Sequence, residues 1–303
     1  MSEMIREFFA GLHRRPAAST AKLSTPWMDQ PEVPWAEYPR PQLRRDSFFC
    51  LNGDWDLSWG GEYRGEIRVP YPVESQLSRI GKSHPKGEIL TYQRPFVLPD
   101  GFCRDRVLLH FGAVDQICHV FLNDTEVGFH EGGYLPFTLD VTEQLQDGGN
   151  RLRVEVQDDL DRELPYGKQR ENRGGMWYTP VSGIWQTVWM ESVPEHYIEN
   201  LYITADMESV TVEITGGTDE MYLSCDGKRY ALQGNSITFS PENPRLWSPE
   251  DPYLYEVTVE AGEDRVESYF AMRELGVRKV GEFQRTFLNR KPCFFHGVLD
   301  QGW

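Results

Sequence analysis

Apolar residues in this chain recur at every second position, in short runs broken by Gly, Pro and Asp, and almost nowhere at helical spacing. In Arg151–Gln157, Leu152, Val154 and Val156 alternate with Arg151, Arg153, Glu155 and Gln157. That is the pattern of a strand with one face buried. Val107–Phe111, Ile117–Leu122 and Ile184–Glu191 are further β-rich runs. Asn123-Asp124, between Leu122 and Val127, predicts a tight hairpin turn, because Asn and Asp tolerate positive φ. Many short strands joined by such loops describe an all-β fold built from sandwiches.

A second set of strands follows Pro194: Ile198–Thr204, Val210–Ile214, Ile237–Phe239, Tyr255–Glu260 and Val266–Met272. Their spacing suits an immunoglobulin-like sandwich over residues 196–275. The proline-rich segment 241–249 reads as a rigid loop around a buried Trp247. Ahead of the first sandwich, assigned to 48–195, residues 1–47 read as a short helix and an arm. Ile5, Phe8, Phe9 and Leu12 share one helical face, and Pro16, Pro26, Pro31, Pro34, Pro39 and Pro41 demand an extended path over the surface. Residues 276–303 hold a strand and turn at 287–292, then the apolar run Phe294–Leu299, which reads as a strand covered on both faces. Such a strand so near a terminus suggests a domain only begun.

Composition narrows the function. With 39% hydrophobic residues, 13% aromatics and nine Trp, the chain can bury a core and is not disordered. Its net charge of −16 argues against nucleic acid, which calls for a basic face. No apolar run approaches the ~20 residues that span a bilayer, and no secretory signal core is visible, so a cytoplasmic protein without a membrane partner is expected. Five scattered cysteines without a C-x-x-C pair read as reduced thiols, and no His/Cys cluster argues for a metal or other cofactor. His110, His119 and His130 read as core or surface histidines, and most Asp and Glu as solvated charge on strands and turns.

Four segments, in order, carry a family resemblance. The first is Tyr38–Arg44 with Leu51-Asn-Gly-Asp-Trp55. The second runs from Phe111-Gly-Ala-Val114 through Val120–Asn123 to Gly132-Gly-Tyr-Leu-Pro-Phe137. The third is Gly167-Lys-Gln169 with Met176–Glu191, and the fourth is Leu288–Val298. Together they resemble the N-terminal half of glycoside hydrolase family 2, which includes β-galactosidases, β-glucuronidases and β-mannosidases. The resemblance implies a galactose-binding-like jelly roll, an immunoglobulin-like sandwich, and at 276–303 the first strand of a truncated (β/α)8 barrel.

It also implies hydrolysis of O-glycosidic bonds in β-glycosides by a retaining mechanism, with two carboxyl groups on the barrel. In that family the acid/base Glu follows an Asn, and this sequence contains no Asn-Glu. No catalytic residue is therefore assigned, and the chain by itself is expected to be inactive. In relatives a loop of the first domain shapes the sugar-binding end. The matching stretch, Asp158–Tyr178, offers Lys168, Asn172, Arg173 and Trp177 as substrate-binding residues, with Arg170 beside them. Sugars suit that mixture, because their C–H faces stack on Trp and their hydroxyls take hydrogen bonds from Lys, Asn and Arg. Trp185 and Trp189, inside a strand pattern, read as core, and a core place for Trp177 is an open alternative. Asp300 and Gln301, after the barrel strand, are further candidates. Gly174-Gly175 stand where many members carry an Asp, so the sugar is left open, as is a homo-oligomer of the full-length enzyme. The alternative is a stand-alone carbohydrate-binding or scaffold sandwich.

Overall fold

The computed structural model describes residues 31–83, 85–172 and 174–299. The amphipathic segment at Ile5–Leu12 lies outside them. Helix among the described residues is limited to the 3-10 turns Pro41–Leu43, Gln76–Ser78 and Thr142–Gln144. None is long and apolar enough to cross a membrane. Everything else that is regular is strand, and every strand pairing is antiparallel.

The first sandwich packs a six-stranded sheet on a four-stranded one. In spatial order the larger contains Glu62–Val69, Gly53–Trp59, Leu90–Val97, Gly149–Gln157, Ile117–Leu122 and Thr125–Glu131. The smaller contains Phe49–Cys50, Val188–Val193, Arg106–Phe111 and Phe137–Asp140. Alternation decides the faces: Leu152, Val154 and Val156 are fully buried while their neighbours reach outward. They meet Trp55, Leu109, Phe111 and Met190 in one apolar core. The hairpin at Asn123-Asp124 forms as expected, with φ of 50° and 65°. Asn52, in the Leu-Asn-Gly-Asp-Trp segment, is buried and pins three pieces of chain. Its amide donates to Pro34 O and Thr187 Oγ1, and its carbonyl accepts from Val188 N at 3.0 Å.

The second sandwich pairs Ile198–Ala205, Val210–Gly216 and Ser236–Phe239 against Lys228–Ala231, Met221–Cys225, Tyr255–Ala261 and Asp264–Phe270. It has its own core around Val212, Leu223, Val257 and Phe270. A third sheet of Leu275–Val280, Phe283–Leu288 and Lys291–Pro292 follows.

Three expectations need correction. Phe294–Leu299 forms no strand, and Phe294 and Val298 are 80% and 93% exposed. An apolar run becomes a buried strand only where other layers cover it, and no described residues do so here. Trp247 is half-buried, its ring facing the Arg273 guanidinium at 5.0 Å. The described part of the arm does not merely lie on the surface. Leu43 enters the core of the second sandwich, and Arg44 exchanges backbone hydrogen bonds with Glu267 at 2.8 Å each.

Arg45 then joins the two sandwiches. Its guanidinium grips Asp264 of the second through Nε and Nη2 at 2.9 and 2.8 Å, and Glu191 of the first through Nη1 at 3.0 Å. Nη2 also donates to Ile198 O. All three charged side chains are almost wholly buried. Arg40 and Tyr38 donate to Glu191 as well, so its charge has several partners. His110 stacks on Trp189 at 4.0 Å and brings Nε2 to 3.1 Å from Glu191. Burial holds the imidazole below its ordinary pKa, so it is neutral there at neutral pH.

Candidate functional site

Between Gly149–Gln157 and Gly183–Ile184 the chain leaves the first sandwich and folds over one end of it. Polar side chains, rather than sheet pairing, hold this excursion down. Asp158 Oδ1 accepts from Leu160 N at 2.9 Å, and Gln116 exchanges two hydrogen bonds with the Asp161 backbone. Gln169, 2% exposed, is the central tie. Its amide donates to Asp115 Oδ2 at 2.9 Å and its carbonyl accepts from Val181 N at 2.7 Å. Around it Arg170 N donates to Tyr178 O, and Tyr178 N donates to Lys168 O, closing a narrow two-stranded loop.

Near its tip, Asn172 lines a cleft of about 280 Å³ with Lys86, Arg162, Tyr166 and Arg170. Lys86 is ion-paired with Glu171 at 2.8 Å. Arg170 lies over the Trp177 ring at 3.6 Å, so one aromatic face is covered by a guanidinium. Trp177 is half-buried, neither a core residue nor a free platform. Arg170 thus links the Asn172 cleft to Trp177, whereas the half-buried Lys168 stands on the loop outside the cleft lining. Arg173, Asp300 and Gln301 lie outside the described residues. Trp189 is core, as expected, but Trp185 is only half-buried, with its indole N–H donating to Gly133 O at 2.8 Å.

Sequence reasoning missed what lies beneath the loop. Glu74, Asp115 and Asp158 converge under it with the Tyr92 hydroxyl, and Asp115 and Asp158 are 1% and 3% exposed. Together with Glu191 and Asp264 these acids are exceptions to the expectation that most carboxylates are solvated. Burial raises both Glu74 and Asp115 to about 7, and the charge of Asp158 adds to each. Hydrogen bonds from Ser182 N to Glu74 Oε2 and from Gln169 to Asp115 oppose that rise without overcoming it. Burial likewise keeps the Tyr92 phenol protonated. Two glycines make room for the cluster. A Cβ on Gly133 would sit 2.2 Å from Asp115 Oδ1, and one on Gly183 would sit 2.0 Å from the Tyr92 hydroxyl. Among the described residues no three acids, histidines or cysteines are placed to hold a metal ion. The signal that was available is Asp115 itself, an acid that directly follows the apolar run Phe111-Gly-Ala-Val114. Glu74, in a proline-bounded turn, gave none.

The chain matches two families in sequence. Residues 27–194 match the family described as glycosyl hydrolases family 2, sugar binding domain, and residues 203–273 match glycosyl hydrolases family 2. It is similar to a β-glucuronidase of Paenibacillus borealis, at 28% identity over 86% of this chain and 50% of that one. It is also similar to the β-galactosidase large subunit of Leuconostoc lactis, at 26% identity over 81% of this chain and 41% of that one. A β-galactosidase of Thermoanaerobacter pseudethanolicus is 24% identical over 68% of this chain and 31% of its own length. The chain therefore spans half or less of these relatives. In fold it resembles a β-glucuronidase of Faecalibacterium prausnitzii, with TM-score 0.64, 24% identity, and coverage of 86% of this chain and 51% of that one. The Dictyoglomus thermophilum β-D-glucuronidase gives TM-score 0.67 at 21% identity, covering 84% and 48%.

Proposed function

This chain belongs to glycoside hydrolase family 2, and on that premise we propose that it forms the substrate-facing, non-catalytic portion of a retaining β-glycosidase. In this reading the sugar meets the loop at 168–178, with Asn172 giving and taking hydrogen bonds and Trp177 offering the face opposite Arg170. Lys168, Arg173, Asp300 and Gln301 complete the polar set. The two carboxyl groups of double displacement come from a (β/α)8 portion, since the described sandwiches bring together no pair suited to it. Asp115, Asp158 and Glu74 are sealed under the loop, and Glu191 and Asp264 are locked on Arg45. We place the whole enzyme in the cytoplasm, with a β-glycoside as its partner.

The observation that carries the reading is the loop itself: a cleft of monosaccharide size, with an aromatic ring beside it, held over a sandwich end by buried polar ties. The third sheet favours this over a stand-alone binding module. Leu275, Val277, Val280 and Phe283 are all about half exposed or more, an apolar surface that a self-sufficient module does not need. Replacing Trp177 by alanine is expected to weaken the dissociation constant for aryl β-glycosides about 5- to 10-fold, the loss of roughly 1 kcal/mol of stacking. Isothermal titration at millimolar glycoside measures it. An unchanged affinity in Trp177→Ala and Asn172→Ala alike would remove the loop from the binding site.

A further inference from the structure

The carboxyl cluster has a connectivity that packing alone does not require. Two of its acids tie the excursion to the sandwich beneath: Asp115 holds Gln169 at its centre, and Glu74 holds Ser182 at its end. The third, Asp158, is the first residue of the excursion and caps Leu160 within it. The charges acting on Glu74 and Asp115 are other carboxylates: Asp158 on both, and Glu74 on Asp115. The remaining titratable neighbours are the phenols of Tyr92, on Leu90–Val97, and Tyr134, whose hydroxyl is 3.4 Å from the Gln169 amide. Glu74 Oε1 and Asp115 Oδ1 take no hydrogen bond among the described residues.

We propose that Glu74, Asp115 and Asp158 form a proton-operated latch, which holds the sugar-facing loop down while Glu74 and Asp115 are protonated and releases it when they ionise. The direction follows from sterics and charge. Three carboxylates in one buried space repel and need water. Asp115 and the Tyr92 hydroxyl already fill the space beside Gly133 and Gly183, so those sides of the cluster are closed. Hydration therefore enters from above, by lifting the excursion. Ionisation strengthens the Gln169 and Ser182 bonds one by one, but the burial that raises both groups to about 7 outweighs those bonds. The loop is thus tied in mildly acidic solution and opens as pH rises through neutrality. This holds whether or not the loop binds a sugar.

The test is amide hydrogen exchange of the whole chain at pH 5.5 and 8.5, each corrected for intrinsic exchange. Protection of the amides of Leu160, Val181 and Ser182 is expected to fall at least tenfold at the higher pH, while the amides of Leu152 and Val154 hold theirs. In Glu74→Gln/Asp115→Asn the loop should stay protected at both values. Equal protection at both pH values in the unaltered protein would overturn the latch, with no need of the variant. A double variant that folds and keeps the full pH response would overturn it as well. Loss of sugar binding with the latch response intact would instead count against the functional reading alone.

Discussion

Replacing Arg45 by alanine is expected to lower the unfolding free energy by about 3–5 kcal/mol, the range for removing one partner of a buried ion pair. The guanidinium makes four hydrogen bonds across the seam: two to Asp264, one to Glu191 and one to the Ile198 carbonyl. Alanine leaves both carboxylates without it. Glu191 retains Arg40, Tyr38 and His110, but among the described residues Asp264 retains the Ile198 amide at 2.8 Å as its one hydrogen bond. The penalty therefore falls mainly on the second sandwich. Urea unfolding followed by tryptophan fluorescence should show an earlier midpoint and a transition split in two as the sandwiches uncouple. A single transition within about 1 kcal/mol of the unaltered protein would mean that the seam is held by apolar contacts around Leu43 instead.

Stability is also expected to peak in acid, between about pH 4 and 5. Burial raises Glu74 and Asp115 from ordinary values of 4.5 and 3.8 to about 7. Between those limits the folded chain keeps protons that the unfolded chain has released. Their contribution is thus fully present below about pH 4 and lost as pH rises through 7, on the order of 3 kcal/mol per group. Glu191 acts in the opposite sense. Burial raises it, but His110, Arg40 and Arg45 outweigh burial and hold it at about 2. Its contribution is present above its ordinary 4.5 and lost as pH falls through 2. Urea midpoints at pH 5, 6, 7 and 8 should decline steadily, and Asp115→Asn should flatten that decline. An identical decline in the variant would place the titrating groups elsewhere.

The sandwiches were legible because alternation is a local signal. Leu152, Val154 and Val156 announce their buried face, and Asn123-Asp124 its turn, within a few residues. What was not legible depends on distant partners. Arg45 lies 146 positions from Glu191 and 219 from Asp264, and nothing near it distinguishes it from Arg44. The cluster under the loop draws on Glu74, Asp115 and Asp158, and of these Asp115 alone stands out in its own neighbourhood, at the end of an apolar run. Strand signals fail for the same reason where cover is lacking. Phe294–Leu299 has the composition of a buried strand, but burial is a property of the layers around it. Of the loop residues singled out from the sequence, Asn172 lines the cleft and Trp177 does not, and Lys86, from a distant turn, completes it. The guanidinium that covers one face of Trp177 comes from Arg170, seven positions away, and no pattern around the Trp announces it.

One measurement bears most directly on the functional reading: titration of the isotope-labelled chain with a nitrophenyl β-glycoside, following backbone amide resonances and nitrophenol release together. The expected result is shifts concentrated at Lys168, Asn172 and Trp177, with the glycoside intact at the end of the titration. Steady release of nitrophenol, or shifts that leave the loop untouched and gather elsewhere on the sandwiches, would contradict it.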